Sequence, residues 1–356
     1  MEFRRILITG GAGFVGSNLA IRLKQAFADL AVTVFDNLRR RGSELNLPRL
    51  KQHGVAFRHG DIRCREDFAQ CPPFDLLMDC SADPSVQAGL DGDPLPTLAN
   101  NLFGTVHCAE EARRASAAML FISTSRVYPV QRLNDLAFRE EATRFAWTAE
   151  EPILGYSAAG IAEAFPLDGW RSFYGASKLA SELLLQEYVA AYRMPALVNR
   201  CGVLAGPWQM GKVDQGVVTQ WVARHVFQQE LAYFGYDGSG KQVRDILHVD
   251  DFFDLLCRQM ARPAMWDGRT YNVGGGNEVS ISLLELTELC QQQTGQRVPV
   301  HRRAAGSPAD VRIYITDARR VAADFDWRPQ RSPAEIVADV VAWVRTQEPA
   351  LRTILA

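Results

Sequence analysis

Hydrophobic positions in the first two hundred residues form short runs that alternate with helical patterns. The runs that predict strands are Arg5–Thr9, Ala31–Asp36, Val55–His59, Leu76–Ala82, Met119–Ser125 and Leu197–Cys201. The patterns between them predict helices over Phe14–Ala26, Pro96–Ala115 and Ser172–Tyr192. Strands that are apolar on both faces and separated by helices indicate a parallel sheet covered on both sides. We therefore predict an α/β fold with a doubly wound parallel sheet.

The pattern changes after about Gly206, where mixed elements rich in glycine and aromatic residues precede helices near Leu283–Gln293 and Pro333–Thr346. We expect residues 1–205 to form the sheet domain and residues 206–356 a smaller mixed α/β lobe that binds the substrate. Such a lobe would lie over the carboxyl ends of the strands, where sheets of this kind bind ligands. The segment 245–262 is expected to pack back onto the first domain.

Composition narrows the class of protein. Of 356 residues, 47% are hydrophobic and 22% charged, and the net charge of −2 comes from well-mixed signs, so we expect no nucleic-acid partner. The chain has no run of 18 apolar residues and no signal-like start, which favours a cytoplasmic protein without a membrane partner. The seven cysteines are scattered without a C-x-x-C pair, so no metal site is expected.

A glycine-rich run follows the first predicted strand. It reads Gly10-Gly11-Ala12-Gly13-Phe14-Val15-Gly16 and leads directly into the first predicted helix. Glycines at this place permit a tight turn and close approach of the backbone to a pyrophosphate, and the helix N-terminus supplies free N–H groups. The run therefore predicts a dinucleotide site of Rossmann type, the alternative being an ordinary glycine-rich turn.

Asp36 ends the second predicted strand, twenty residues after Gly16. An acidic side chain there can accept hydrogen bonds from the adenosine ribose hydroxyls, and its charge would repel a 2′-phosphate. This favours NAD over NADP, although the arginines at 39–41 could pair with a phosphate. Further along, Asp61 is placed to meet the adenine, Ser81 and Ala82 to lie along the pyrophosphate and ribose, and Asn101 to pass beneath the active site.

Tyr174 and Lys178 are four residues apart in the predicted helix over Ser172–Tyr192. That spacing places a phenol and an ammonium on one helix face, where the cation lowers the pKa of the tyrosine. Tyr174 can then act as a general base. A Tyr-x-x-x-Lys pair also arises on helix surfaces by chance, but its place in a dinucleotide fold favours the catalytic interpretation. Hydroxyls at the end of the preceding strand, Ser123-Thr124-Ser125, could orient a substrate or simply cap the strand.

With these residues the sequence resembles the extended short-chain dehydrogenase/reductase family, the nucleotide-sugar epimerases and dehydratases, over essentially its whole length. The resemblance includes the run Gly240–Asp251, similar to a substrate phosphate motif of the family, and Tyr271-Asn272-Val273-Gly274 of its second lobe. It implies tightly held NAD, a nucleotide-sugar substrate and a homodimer formed through helices near Thr97–Ala115 and Ser172–Tyr192.

The resemblance also implies roles for individual residues. It selects Thr124, with Tyr174 and Lys178, as the catalytic group. The implied cofactor contacts are Gly10, Gly13, Phe14, Val15, Gly16, Asp36, Asn37, Arg39, Asp61, Ile62, Ser81, Ala82, Asn101, Ser123, Tyr174, Lys178 and Cys201. The implied substrate contacts are Ser125, Arg200, Gln209, Lys212, Gln215, Gln242, Arg244 and Arg312. The two last would hold the substrate pyrophosphate, although either could instead belong to a structural ion pair. The segment 208–215 could instead merely cover the cleft.

The two residues after Thr124 discriminate between reactions. Dehydratases that resemble this chain have Asp and Glu there, and decarboxylases keep the Glu, whereas this chain has Ser125 and Arg126. Elimination and decarboxylation are therefore disfavoured, and epimerisation is favoured. Within the family the chain is most similar to a subgroup that inverts C2 of CDP-linked dideoxyhexoses. A UDP-sugar 4-epimerase is the alternative.

Overall fold

The computed structural model describes residues 3–90, 92–148, 153–211 and 215–355. Its strands are β1 (Arg5–Thr9), β2 (Ala31–Asp36), β3 (Ala56–His59), β4 (Leu76–Asp79), β5 (Ala118–Thr124), β6 (Phe138–Glu140), β7 (Phe145–Trp147), β8 (Tyr156–Ser157), β9 (Gly160–Ile161), β10 (Ala196–Cys201), β11 (Val203–Ala205), β12 (Leu231–Phe234), β13 (Val243–His248), β14 (Asp267–Val273), β15 (Ser280–Ser282), β16 (Val300–Arg303) and β17 (Ile313–Tyr314). Its helices are α1 (Phe14–Ala26), α2 (Asn46–Gln52), α3 (Leu95–Leu98), α4 (Gly104–Arg114), α5 (Val130–Asn134), α6 (Phe173–Tyr192), α7 (Val217–Val226), α8 (Val249–Met260), α9 (Leu283–Thr294), α10 (Arg319–Phe325), α11 (Pro333–Thr346) and α12 (Glu348–Leu355).

The chain folds into two compact units. The first unit contains Met1–Thr124, Phe173–Arg200 and Phe252–Tyr271. The second unit contains Ser125–Ser172, Cys201–Asp251 and Asn272–Ala356. These bounds differ from the predicted division after residue 205, because the connection between β5 and α6 folds with the second unit.

The reason for that difference is visible in the hydrogen bonds of the connection. Phe145 N donates to Lys241 O at 2.9 Å, and Ile161 N donates to Ile315 O at 2.9 Å, so strands β7 and β9 are bonded to the second unit. The segment 245–262, predicted to pack on the first domain, is also divided. Its first part belongs to β13, which pairs with β11, β15 and β17, and only residues from Phe252 onward join the first unit.

The first unit is built on a seven-stranded sheet in the order β14-β10-β5-β4-β1-β2-β3. The pairs from β3 through β5 are parallel, as the alternation of apolar runs and helices predicts. Strands β1 and β4 are almost completely buried, which agrees with their continuous apolar sequences. The strand order reverses between β1 and β4, and their carboxyl ends form the crevice where such sheets bind ligands. The α/β, doubly wound fold is confirmed.

The second unit is a mixed α/β assembly. It is not smaller than the first unit, contrary to the sequence prediction, because it includes the connection between β5 and α6. Its sheet combines β11, β13, β15 and β17 with both parallel and antiparallel pairs. Helices α9 and α11 begin with capping boxes, in which Ser282 bonds reciprocally with Glu285 and Ser332 with Glu335. Such caps satisfy the free N–H groups of the first turn, so they fix where each helix begins.

Most predicted elements lie within a residue or two of the observed ones, and two differ informatively. Strand β4 ends at Asp79 rather than Ala82, because the Asp79 carboxylate accepts a hydrogen bond from Ser81 N at 3.0 Å and turns the chain. The helix predicted over Pro96–Ala115 is interrupted by a π-helical turn over Ala99–Phe103. Turns of this kind are frequent at functional sites.

The described residues contain neither a membrane-spanning helix nor a cluster of metal ligands. No helix among them is long and apolar enough to cross a membrane. In the same part of the chain, no three His, Cys, Asp or Glu side chains are grouped so that they could hold a metal ion.

Candidate functional site

The glycine-rich turn joins β1 to α1 at the point where the strand order reverses. Gly10 has a φ of +63°, and a Cβ on it would lie 2.7 Å from Cys80 O, in the loop after β4. A Cβ on Gly16 would lie 2.5 Å from Gly10 O. Both contacts are too short for a side chain, so the two loops approach as closely as glycine allows. This cradle fits the pyrophosphate of a dinucleotide.

Helix α1 begins in the same turn. Its N-cap is Gly13, and no side chain of the described residues caps it. The N–H groups of the first turn, from Phe14 and Val15 onward, therefore remain available to an anion at the positive end of the helix dipole. The geometry that the sequence predicts for an NAD site is present.

The acidic residue Asp36 ends β2. Asp36 is half-buried, and its carboxylate accepts hydrogen bonds from Ala12 N at 3.0 Å and Leu38 N at 2.8 Å. Burial raises the pKa of Asp36, and these backbone hydrogen bonds oppose the rise. Asp36 thus ties the glycine turn to the end of β2, beside the position expected for the adenosine ribose.

Asp61 lies close to two other predicted cofactor contacts. Asn37 Nδ2 donates to Asp61 at 2.9 Å, and Arg63 Nε and Nη2 donate to it at 2.9 and 2.5 Å. The hydrogen bonds from Arg63 hold the pKa of Asp61 well below its usual range. Ile62 is buried beneath this cluster, and Arg39 is exposed.

The ends of β4 and the π-helical turn meet in a polar network. Asp79 is fully buried, and its oxygens accept hydrogen bonds from Thr9 and Thr105, both at 2.8 Å. Asn101, also fully buried, accepts from Asp83 N at 2.7 Å and donates to Asp83 O at 3.0 Å. Ser81 is buried beside Asp79, whereas Ala82 is exposed. Asn101 therefore holds the loop after β4, which the sequence places near the cofactor.

The predicted catalytic side chains lie within the first unit. Tyr174 and Lys178 share one face of α6 and are 9% and 1% exposed. The Lys178 ammonium lies 4.0 Å from the centroid of the Phe121 ring on β5. Thr124, the last residue of β5, is also buried. A buried ammonium beside a phenol favours the phenolate, so this pair can move a proton.

A buried ion pair lies one turn further along α6. Glu182 accepts hydrogen bonds from Arg200 Nη2 at 2.7 Å and from Ser123 Oγ at 2.5 Å. Arg200 was expected to contact the substrate and Ser123 the cofactor, and the structure engages both with Glu182 in the interior. Cys201, the next residue on β10, is buried as well. The sequence analysis missed Glu182, although its spacing of four residues from Lys178 is a usable signal.

A pocket opens within the second unit. Its lining residues are Ser125, Arg126, Tyr128, Val130, Leu133, Ser172, Val203, Arg244, Ala309, Val311 and Tyr314. It therefore contains two of the predicted substrate contacts, Ser125 and Arg244. The pocket is chemically divided, since it presents two guanidinium groups and several hydroxyls together with aliphatic walls. The sequence analysis did not identify Tyr128 or Tyr314 as lining residues.

The two arginines predicted to hold a pyrophosphate have different surroundings. Arg244 forms an ion pair with Asp310 at 2.7 Å. Arg312 lies outside the pocket lining, with its guanidinium carbon 3.9 Å from the Phe138 ring centroid and 5.3 Å from that of Tyr236. Burial raises the pKa of Tyr236 to about 12, with Asp310 adding to the rise and both arginines opposing it. Arg244, Asp310, Tyr236 and Arg312 thus form one electrostatic cluster.

The remaining predicted substrate contacts are also in the second unit. Gln209 Nε2 donates to Leu204 O at 2.8 Å, and its Oε1 accepts from Thr219 at 3.1 Å. Gln242 is buried and donates to Phe234 O at 3.1 Å, while its Oε1 has no partner among the described residues. Gln215 is half-buried, and Lys212 lies outside the described residues.

Comparison of the sequence with known proteins identifies the family of the chain. The sequence matches the NAD dependent epimerase/dehydratase family over residues 6–274. The chain belongs to this family. It is therefore an enzyme of the NAD-dependent nucleotide-sugar epimerase/dehydratase family, with NAD as its cofactor.

Relatives within the epimerase/dehydratase family carry different activities. CDP-paratose 2-epimerase of Salmonella typhi is 30% identical over 351 residues, covering 95% of this chain and 98% of that protein. The dTDP-glucose 4,6-dehydratase 1 of Escherichia coli strain K12 is 27% identical, covering 95% of this chain and 92% of that protein. Among solved structures, UDP-glucose 4-epimerase of Thermus thermophilus in complex with NAD has a TM-score of 0.75 at 25% identity, covering 96% of this chain and 99% of that chain.

Proposed function

We propose that the chain is a nucleotide-sugar epimerase that inverts C2 of CDP-paratose, giving CDP-tyvelose, or of a similar CDP-linked sugar. The observation that carries the proposal is the pair Ser125 and Arg126 in the pocket of the second unit. Among the described residues that line this pocket, none has a carboxyl group.

The missing carboxylates matter because the competing reactions need them. Dehydratases that resemble this chain use Asp and Glu at these two positions as the acid and base that remove water. A hydroxyl and a guanidinium cannot replace that pair, because arginine stays protonated and offers no acceptor. Hydride removal and return at one carbon needs a single acid/base group, which Tyr174 supplies.

The walls of the pocket support a deoxygenated sugar. Val130, Leu133, Val203 and Val311 present aliphatic side chains to its interior. A hexose hydroxyl buried against such side chains would lose its hydrogen bonds to water without replacement, at a cost of about 1–3 kcal/mol. A dideoxyhexose avoids this cost. The Salmonella typhi relative, a CDP-paratose 2-epimerase, supports the same substrate class.

The proposed mechanism gives each catalytic residue one role. Thr124 Oγ1 accepts a hydrogen bond from the reacting hydroxyl or donates one to it, and so orients this hydroxyl. Tyr174 Oη removes the hydroxyl proton. Lys178 keeps the phenol ready to ionise, since its ammonium is buried on the same helix face. NAD bound at the glycine turn would supply the hydride acceptor and, for the return to the other face of the keto sugar, the hydride donor. Tyr174 then returns the proton, so the reaction consumes no cofactor.

Offering the purified protein four nucleotide sugars tests the proposal against its alternative. CDP-paratose, CDP-tyvelose, UDP-glucose and UDP-glucuronate are incubated separately, and inversion at C2 or C4 is followed by NMR. We expect CDP-paratose and CDP-tyvelose to interconvert. Inversion at C4 of a UDP sugar without turnover of either CDP sugar would establish the alternative, a UDP-sugar 4-epimerase.

The catalytic role of Tyr174 has a matched control on the same helix. Tyr174→Phe removes the proton carrier, and we expect kcat to fall by about 100-fold or more. Tyr188→Phe makes the same chemical change almost three turns after Lys178 and should leave kcat within about twofold of the wild type. Equal activity of the two variants would remove Tyr174 from the mechanism.

We also propose that the protein is a homodimer that associates through α6. This helix exposes Leu183, Leu184 and Tyr192, which are 56%, 41% and 57% exposed. Phe103, beside α4, is 59% exposed. Large apolar side chains exposed to solvent are typical of a subunit interface. Light scattering should give the mass of two chains.

A further inference from the structure

Glu182 is a buried carboxylate to which the proposed mechanism assigns no role. It follows Tyr174 by eight residues and Lys178 by four, so the three side chains lie on the same face of α6. The Glu182 side chain is only 2% exposed. A carboxylate so deeply buried is costly unless it is paired and hydrogen-bonded.

The partners of Glu182 come from two neighbouring strands of the sheet. Ser123 Oγ on β5 donates to Glu182 Oε1 at 2.5 Å. Arg200 on β10 donates through Nε to both carboxylate oxygens, at 3.1 and 3.0 Å, and through Nη2 at 2.7 Å. Strands β5 and β10 are adjacent in the sheet. One carboxylate therefore links α6 to two strands.

These links bear directly on the catalytic side chains. Ser123 is the residue before Thr124, so its bond to Glu182 fixes the end of β5 from which Thr124 projects. The same carboxylate fixes the rotation and register of α6, which carries Tyr174 and Lys178. A buried ion pair is weak evidence for stability, because apolar side chains of similar volume often serve as well. The Glu182–Arg200 ion pair instead has a geometry that suits the positioning of α6 against β5 and β10.

We propose that Glu182 is a positioning residue, which sets Thr124 and the Tyr174–Lys178 pair at a fixed separation and balances the charge of Arg200 on β10. This inference rests on the proposed roles of those three residues. Without Glu182, α6 loses these bonds to β5 and β10, and Arg200 loses the carboxylate that it contacts through Nε and Nη2.

The charge balance involves groups from several elements. The charged pair consists of Glu182 on α6 and Arg200 on β10. Cys108 on α4 interacts electrostatically with Lys178 and with Asp79 of β4. Burial raises the pKa of Cys108 well above its ordinary value, so this thiol stays neutral. Asp79 and Lys178 are common to every variant below. Differences in Tyr174 ionisation therefore report the Glu182–Arg200 pair.

Two variants and a control test the inference in the full-length protein. Glu182→Gln removes the charge of the carboxylate, and Glu182→Gln with Arg200→Met removes both charges. Glu288→Gln makes the same chemical change at an exposed position on α9 and is the matched control. For each we measure the melting temperature, kcat and KM with CDP-paratose, and the ionisation of Tyr174 by ultraviolet difference spectroscopy against Tyr174→Phe in the same background.

We expect Glu182→Gln to lower kcat by about tenfold or more with little change in KM, since misplacement by about 1 Å has such effects. Tyr174 should ionise at lower pH, because removal of the Glu182 negative charge from the same helix face favours the phenolate. The double variant should recover the melting temperature and the Tyr174 ionisation but not kcat. Glu288→Gln should change none of these quantities.

Recovery of kcat together with the melting temperature in the double variant would show that Glu182 is merely structural. If Glu182→Gln does not fold, Ser123→Ala keeps the ion pair and breaks only the link to β5. Wild-type kcat in that variant would overturn the inference. If the wild type does not convert CDP-paratose, the proposed function fails, while unchanged Tyr174 ionisation in Glu182→Gln overturns this inference separately.

Discussion

The glycine turn allows a stringent test, because the chain contains a second glycine that separates two physical effects. Gly10 and Gly295 both have positive φ, +63° and +73°. A Cβ on Gly10 would lie 2.7 Å from Cys80 O, whereas a Cβ on Gly295 would meet no atom within 4 Å. Gly10→Ala therefore adds backbone strain and a close contact, and Gly295→Ala adds backbone strain alone.

The expected magnitudes follow from these two contributions. Left-handed backbone costs a non-glycine residue about 1–2 kcal/mol. Forcing an extra methyl into close-packed surroundings costs about 1–3 kcal/mol more. We therefore expect a loss in the free energy of unfolding of about 1–2 kcal/mol for Gly295→Ala and about 2–5 kcal/mol for Gly10→Ala. At about 2–4 °C per kcal/mol, Gly10→Ala should melt about 4–20 °C lower than the wild type.

The assay combines calorimetric melting with the NAD content of the purified protein. Relief of the contact must move the glycine turn away from the loop after β4, and that movement opens the cradle for the pyrophosphate. We expect Gly10→Ala to lose NAD and Gly295→Ala to retain it. Equal melting temperatures and equal NAD content in the two variants would refute the assignment of the cofactor site to this turn.

Three further predictions concern charge, chemistry and assembly. Because Arg63 holds the folded-state pKa of Asp61 low, Asp61 contributes its full stabilisation above the unfolded pKa of about 3.9 and loses it as the pH falls further. Chemical denaturation of Asp61→Asn should accordingly show a weaker fall in stability in acid than the wild type. The double variant Ser125→Asp/Arg126→Glu brings two carboxylates into the pocket and removes a cation, so its kcat/KM for CDP-paratose should fall at least about tenfold. The rate is measured by NMR, and the uncharged double variant Ser125→Asn/Arg126→Gln is the control. Equal kcat/KM values for the two double variants would count against a charge effect. Leu183→Glu buries a charge in the proposed interface and should give the single-chain mass in light scattering, whereas an intact dimer would place the interface elsewhere.

Local patterns in the sequence predict the core of the first unit well. Strands β1 and β2 and helix α1 have the predicted bounds, because their apolar residues are continuous or helically spaced. The turn between β1 and α1 is marked in the sequence by its glycines, which its backbone conformation and close contacts require. The pairing of Tyr174 with Lys178 depends only on helix periodicity. These features need no long-range contact to be recognised.

Features that depend on long-range contacts were missed or misplaced. The connection from Ser125 to Ser172 joins the second unit through bonds to residues near Lys241 and Ile315, which are distant in sequence. Arg200 resembles a ligand contact until Glu182, eighteen residues away, is seen to neutralise it. Arg312 is similarly engaged by the aromatic rings of Phe138 and Tyr236. Pairings of this kind are set by the tertiary fold, so no local pattern predicts them.

The central claim is that C2 is inverted by removal and return of one hydride with Tyr174 as the proton carrier. Conversion of CDP-paratose in D2O tests it most directly, because a hydride held on the enzyme does not exchange with solvent. We predict that NMR shows CDP-tyvelose with hydrogen retained at C2, and that no NADH accumulates. Deuterium at C2 of the product, or no inversion at C2, would contradict the account.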